Sequence, residues 1–362
     1  MVCRSIALVA LKLASTVQRM RTVKSGAAEV ALIDLIPGGV RHLARAVLPD
    51  KTAEALRETV VQRYYVPSNI TREPAGQAFV RRWVKHARPT LYHLDMHITD
   101  HCNLNCKGCE TYSSLSSPRF ASLEVFDRDM TRLAELFESI GQIYLMGGEP
   151  LLHPELPAFI RSARKRFPRT KLVLLTNTLL VPRMGDEFFL ALRETDCILM
   201  CDLYPVGIDI EAVEALCREH GVRLEWTPPV EEFHKVPIDG LGSCDAGRMH
   251  LLCKQVANCA IARDGRLYPC QRAAFADIIA ERFDMPELNA TAADSISLSA
   301  VPSGDAAIDF LMQPIPWCAK CDFDAKETYE WARTKRDPSE WLLGHATGDE
   351  AASRDARDDG PV

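Results

Sequence analysis

Apolar positions along residues 91–227 switch between two spacings, so the chain reads as strands and helices in turn. Leu94, Met96 and Ile98 fall on one side of an extended segment, and His93, Asp95 and His97 fall on the other. Phe126, Met130, Leu133, Phe137 and Ile140 then recur at intervals of three and four, which predicts an amphipathic helix over Leu123–Ile140. Short apolar runs at Ile143–Met146, Leu172–Thr176, Ile198–Leu203 and Val222–Thr227 predict buried strands. Helical segments at Pro154–Arg166, Asp186–Glu194 and Asp209–His220 separate them. Strands buried on both faces and joined through helices imply a parallel sheet, so the expected class is α/β.

The flanks read differently. Residues 1–90 suggest a helical N-terminal arm, broken at Pro37-Gly38-Gly39, with a helix from about Pro49 to Tyr65 and a short basic one over Gln77–His86. After Pro228-Pro229 the strand–helix rhythm fades. Ala260–Ala262 and Arg266–Tyr268 flank Arg263-Asp264-Gly265, a predicted hairpin with Asp-Gly at its tip. Residues 326–343, with Tyr329, Trp331 and Trp341, are expected to close in a helix, and the small, charged tail from Gly344 to be disordered. The division is thus an arm (1–90), an α/β core (91–235), a cysteine-rich extension (236–343) and a tail (344–362).

Composition is that of an ordinary soluble domain, with 25% charged and 47% hydrophobic residues. No apolar run is long enough to span a bilayer. The apolar run Ile6–Leu11 is cut by Lys12 and lacks a small-residue cleavage site, so an export signal is not expected. The net charge of −6 is uneven: residues 1–90 hold 15 Lys/Arg against 6 Asp/Glu, which leaves −15 for the remainder. A basic arm suits solvated helix faces, an acidic partner or a membrane surface. It lacks the interleaved aromatics of a nucleic-acid reader, so no nucleic-acid partner is expected. Thirteen cysteines, several at ligand-like spacing, point to a reducing cytoplasm in which thiols bind metal. Cys197, Cys201 and Cys217 stand in apolar contexts and read as small core residues.

Candidate chemistry lies directly after the first strand, where Cys102, Cys106 and Cys109 follow one another as C-x3-C-x2-C. A short loop with three thiols can hold three corners of a cubane iron–sulfur cluster and leave one iron open. Zinc is the alternative, with His97 or His101 as a fourth ligand, although zinc usually takes paired knuckles. Ligands of parallel sheets sit at the carboxyl ends of the strands. That rule nominates Cys102–Cys109, Gly147–Pro150, Thr176–Thr178 and Asp202–Tyr204. Thr176 and Asn177 read equally well as ligand contacts or as helix caps, and Asp202 and Tyr204 read as capping or core-edge residues ahead of substrate contacts.

The triplet followed by a strand that ends in Gly147-Gly148-Glu149-Pro150 resembles the radical S-adenosylmethionine (SAM) superfamily over about residues 90–235. The resemblance implies a partial (β/α)6 barrel, open along one side, with a [4Fe–4S] cluster on Cys102, Cys106 and Cys109. It also implies SAM on the open iron, with Gly147, Gly148, Glu149 and Pro150 at its amino group and Thr176 and Asn177 near its ribose or carboxylate. The position before the last cysteine, often aromatic in that family, is Gly108 here, so an aromatic face for adenine must come from elsewhere; Tyr112 is a candidate.

Residues 244–325 resemble the SPASM/Twitch auxiliary-cluster extension of such enzymes, in its short form. That likeness suggests Cys253, Cys270, Cys318 and Cys321 as ligands of one further [4Fe–4S] cluster, with a structural zinc as the alternative. Cys244 and Cys259 are ligands or spectators. The implied activity is reductive cleavage of SAM to a 5′-deoxyadenosyl radical that takes hydrogen from a substrate. A single auxiliary cluster is similar to the dehydrogenases of aminocyclitols, so a sugar- or aminocyclitol-like molecule would be oxidised or epimerised. The rival readings are a ribosomal-peptide maturase of the same class and, from outside enzymes, a metal-stapled binding protein. A reductant such as flavodoxin or ferredoxin is the expected partner.

Overall fold

The computed structural model describes residues 89–253 and 260–344. The arm of residues 1–88, the tail beyond Gly344 and Cys259 lie outside the described residues. Five strands follow in chain order, β1 (Thr90–Thr99), β2 (Ser139–Gly147), β3 (Lys171–Thr176), β4 (Ile198–Cys201) and β5 (Leu224–Trp226). Between them come α1 (Leu123–Leu136), α2 (Leu156–Arg166), α3 (Asp186–Glu194) and α4 (Ile210–His220). Asp209 caps α4 by accepting from the Ala212 N–H at 3.0 Å. Each helix turns its apolar stripe onto the sheet, and Leu94, Met96 and Ile98 of β1 meet Met130, Leu133 and Phe159 in one core.

The sheet order is β5-β4-β3-β2-β1-β7-β8-β9. Its last three strands are β7 (Ala260–Arg263), β8 (Arg266–Tyr268) and β9 (Ile296–Ser297). From β5 to β7 every neighbouring pair is parallel, so the barrel has six parallel strands and is partial, with β5 and β9 at its two edges. Six strands agree with the expected (β/α)6 barrel, but apolar spacing locates only five of them. The sixth is the first arm of the predicted hairpin, and it joins the far side of β1 through Leu94↔Ala260, Asp95↔Ile261 and Met96↔Ala262. The strand was hidden because it arrives after the rhythm has faded and pairs with a segment more than 160 residues earlier. At the tip Asp264 (φ 51°) and Gly265 (φ 76°) both take the left-handed conformation that a type I′ turn requires.

Two expectations need correction. The helix after the cluster loop stops at Leu136, and Ile140 belongs to β2, where it pairs with Leu91. Phe137 and Ile140 keep the apolar spacing and are buried, but Phe137 caps the helix through its N–H to the Leu133 carbonyl, and Ile140 pairs with β1 in place of another helical turn. Residues 326–343 are not a helix. Glu327–Glu330 form β10, antiparallel to β6 (Glu232–Lys235), and Pro338–Glu340 make a 3-10 turn. Thr328 and Tyr329 favour an extended chain, and Pro338 lacks the N–H that a helix would need there.

Both faces of β1 are covered. His93, Asp95 and His97 point away from the apolar core, yet Asp95 and His97 are buried. The remaining helices, α5 (Ala246–Leu252), α6 (Gln271–Ala274), α7 (Ala276–Phe283) and α8 (Gly304–Leu311), belong to the later part of the chain. Phe275, between α6 and α7, lies 4.3 Å from His97 and 4.6 Å from the Arg263 guanidinium, ring centre to group. Burial, with Arg263 beside it, lowers the His97 pKa to about 3, so this ring stays neutral. Among the described residues no helix is long and apolar enough to cross a membrane.

Candidate functional site

The cluster loop leaves the end of β1 and is pinned to the end of β2. Gly148 N–H donates to the Thr99 carbonyl at 2.7 Å, and Glu149 N–H to that of His101 at 3.0 Å. Cys102, Cys106 and Cys109 come close enough for each to feel the charge of the others. Donors reach the thiols from several directions: Leu104 N–H at 3.4 Å and Asn177 Nδ2 at 3.5 Å on Cys102, and Trp331 Nε1 at 3.1 Å on Cys106. Cys109 Sγ lies 3.3 Å from Thr111 Oγ1. Burial pushes the Cys102 and Cys106 thiols up to about 12. Alone they would stay protonated, and only a cationic group placed between them makes three thiolates together favourable. The donor set therefore fits an iron–sulfur cluster.

It fits zinc less well. His101 Nδ1 accepts from Arg119 N–H at 3.3 Å and its ring meets Phe120 edge-on, while His97 is packed on Phe275. Among the described residues no three His, Cys, Asp or Glu side chains are grouped to hold a single metal ion.

The strand-end residues sit around this loop, with roles that the sequence only partly indicated. Glu149 is fully buried; its carboxylate accepts from Leu151 N–H at 3.0 Å, Thr176 Oγ1 at 2.7 Å and Asn177 N–H at 2.9 Å. Burial raises its pKa to about 7 against these three bonds. Glu149 thus ties the end of β2 to the end of β3, and Pro150 opens the turn that follows. Thr176 is spent on this tie and caps no helix. Asn177 instead reaches the cluster loop, donating to Asn103 Oδ1 at 2.7 Å beside Cys102. At the end of β4, Asp202 accepts from Thr227 Oγ1 at 2.9 Å, and Tyr204 lies 5.9 Å from Trp331.

Gly147 and Gly148 are required by the chain itself. A Cβ on Gly148 would fall on the His101 carbonyl and within 2.9 Å of the Asp100 carbonyl oxygen. Backbone on that side cannot rotate away as a side chain can, and overpacking typically costs about 1–3 kcal/mol. Gly148→Val is therefore expected to displace the cysteine loop and to lose about four iron per chain on anaerobic reconstitution. A variant that keeps its iron and loses only SAM affinity would show that the glycine serves the cofactor alone.

The C-terminal segment covers the other side of the loop, which the sequence did not reveal. Lys107 N–H donates to the Ala332 carbonyl and Thr334 N–H to that of Asn105, both at 2.9 Å. Tyr329 Oη donates to the Lys107 carbonyl and Trp341 Nε1 to that of Cys109, again at 2.9 Å each. The phenol of Tyr329 occupies the space that a side chain at Gly108 (φ 64°) would need. Tyr112, the aromatic candidate from sequence, is instead buried in a second core with Cys270, Cys318 and Cys321. A Trp- and Tyr-rich segment just beyond a C-x2-C pair was the available signal.

Four further thiols assemble from three segments. Cys253 follows α5, Cys270 precedes α6, and Cys318 lies within the 3-10 turn Pro316–Lys320 that Cys321 ends. Cys270 and Cys318 each interact electrostatically with Cys321 and Cys253. Burial raises all three of Cys270, Cys318 and Cys321, Cys318 to about 12. Cys244 lies close by, its N–H donating to the Ala319 carbonyl at 3.1 Å, but the charges it feels are those of Asp322, Asp239, Asp324 and Arg248. Cys197, Cys201 and Cys217 are buried in the main core, as their apolar contexts suggested. An ion pair joins the two thiol groups: Arg272, two residues after Cys270, donates to Glu110, next to Cys109, at 2.6 Å and to the Val236 carbonyl at 2.7 Å.

Residues 96–223 match the sequence model of the Radical SAM superfamily. The chain is 30% identical to GTP 3′,8-cyclase of Sulfurovum sp. (strain NBC37-1) over 103 residues, 28% of this chain and 31% of that protein. It is 35% identical to GTP 3′,8-cyclase 1 of Mycobacterium tuberculosis over 74 residues, 19% of this chain and 20% of that one. The matches thus span a third or less of these curated relatives. A crystal structure of BtrN in complex with AdoMet and 2-DOIA aligns with 63% of this chain and 84% of its own, at 14% identity and a TM-score of 0.37. These partial likenesses carry no substrate with them. The superfamily match falls on the strand, the cysteine loop and the sheet just described, and residues 96–223 of this chain are accordingly a radical SAM domain, whose cofactors are a [4Fe–4S] cluster and S-adenosylmethionine.

Proposed function

We propose that this chain is a radical SAM oxidoreductase acting on a hydroxylated small molecule of the sugar or aminocyclitol kind, with two [4Fe–4S] clusters. Cys102, Cys106 and Cys109 hold the first, and Cys253, Cys270, Cys318 and Cys321 the second. The observation that carries the reading is the second group of thiols, drawn from three segments and joined to the first through Arg272–Glu110. Four thiolates leave no open position on a cubane, which suits electron transfer and disfavours binding substrate directly. When bound, the first cluster and SAM supply reductive cleavage to methionine and a 5′-deoxyadenosyl radical. A cluster held by Cys253, Cys270, Cys318 and Cys321 would accept the electron that oxidation of the substrate releases, with the matching proton passing to solvent or base.

The protein's own residues orient and enclose. The ends of β2 and β3, locked together by Glu149, form the floor beside Cys102. The β6–β10 ribbon, with Phe233, Tyr329 and Trp331, walls the other side next to Tyr204. Such a wall keeps water from a reactive centre, the part a protein plays in cofactor chemistry. A flavodoxin or ferredoxin of the cytoplasm is the proposed reductant.

The dithionite-reduced protein should form 5′-deoxyadenosine from SAM slowly alone and at least tenfold faster with its substrate. A substrate deuterated at the reacting carbon should pass that deuterium into 5′-deoxyadenosine. If hydroxylated small molecules give no stimulation and a ribosomal precursor peptide does, the peptide-maturase reading replaces this one.

A further inference from the structure

Trp331 is the residue of the C-terminal ribbon that reaches a thiol. Its indole Nε1 lies 3.1 Å from Cys106 Sγ, across 225 residues of sequence. An indole nitrogen donates and cannot accept, so the bond has one direction. A neutral thiol is a weak acceptor and a thiolate a strong one, so the contact gains its value when Cys106 is ionised and bound to iron. Cys106 is 8% exposed, which leaves little room for water to replace the donor.

The indole is held in place from both ends. Trp331 N–H donates to the Glu231 carbonyl at 3.3 Å, and the next residue, Ala332, accepts from Lys107 N–H inside the cysteine loop. Residues 106 and 333 form a β-bridge. The Tyr204 ring, 5.9 Å away, backs the indole from the barrel side. Cys102 receives its nitrogen donors from the loop and from Asn177, just past the end of β3, at 3.4 and 3.5 Å. The donor on Cys106 is nearer and comes from the ribbon.

We infer that Trp331 is a positioning residue that sets the reduction potential of the SAM-binding cluster through an N–H···S bond to Cys106. Hydrogen bonds to cluster sulfurs and the exclusion of solvent are the levers by which a protein moves such potentials. Reduction adds negative charge to the cluster, and a donor aimed at a ligating sulfur stabilises the reduced form more than the oxidised one. The inference rests on the first cluster alone and not on the second cluster or on the substrate proposed above.

Trp331→Phe in the full-length reconstituted protein tests it, because it removes the N–H and keeps an aromatic ring. Reductive titration is read on the EPR signal that responds to SAM, which belongs to the first cluster. The variant should keep its iron and show a more negative midpoint. Trp341→Phe, which removes an indole donor aimed at the Cys109 carbonyl oxygen, should stay at the wild-type midpoint. An unchanged midpoint in Trp331→Phe, or an equal shift in both variants, overturns the inference. Should Trp331→Phe lose its iron, wild-type protein carrying 15N at the indole nitrogens decides. Pulsed EPR of the reduced cluster then either shows a 15N coupling, in support, or shows none, which refutes it.

Discussion

With Cys102, Cys106 and Cys109 all replaced by alanine, the reconstituted protein is expected to hold about four iron and the wild type about eight, and the variant to release no 5′-deoxyadenosine. The three thiols are one unit, set on a loop of eight residues and placed within each other's electrostatic reach. Their surroundings survive the change. The loop is anchored by backbone bonds at Gly148, Glu149, Lys107 and Thr334, none of which uses a cysteine side chain. The variant should therefore fold with a near-native thermal midpoint and keep its second cluster. Retention of all the iron, or stoichiometric zinc in the wild type, would place the metal elsewhere and undo the assignment.

Cys270→Ala is expected to separate the two clusters. It should lose about four iron while SAM is still cleaved, and oxidation of the substrate should stop. Cys270 is buried, stands at the N-terminus of α6, and interacts with Cys321 and Cys253. Alanine there removes one corner of the four-thiol set and little else. Cys244→Ala and Cys259→Ala should leave the iron content nearly unchanged. Turnover by a Cys270→Ala protein would make the second cluster a structural staple without a redox role. Loss of the cluster in Cys259→Ala, with retention in Cys253→Ala, would show that spacing selected the wrong thiol.

Much of the barrel could be read from the chain because its elements are local. The helix Asp186–Glu194 needs only its own apolar spacing, and the ends of α4 are written in Asp209 and Gly221. The cysteine loop could be read for the same reason, three ligands lying within eight residues. What stayed hidden depends on long-range pairing. Ala260–Arg263 is a barrel strand only because β1 offers it a free edge. Trp331 matters only because β10 finds β6 and then the loop. Glu149 reads as a cofactor contact from the motif, and the three buried donors that make its carboxylate a brace between strand ends could not be read there. Local periodicity carries no information about such partners.

The reach of Trp331 back to Cys106 also has a consequence in time. During synthesis the cysteine loop leaves the ribosome 225 residues before its cover does. At about 5–20 residues per second that interval is roughly ten to fifty seconds. Strands β2 to β5 are made within that window, so the cysteine loop meets the barrel before it meets its cover. Once the ribbon closes, Lys107, Cys109 and Cys106 are bonded from above, and a donor protein would have to displace it.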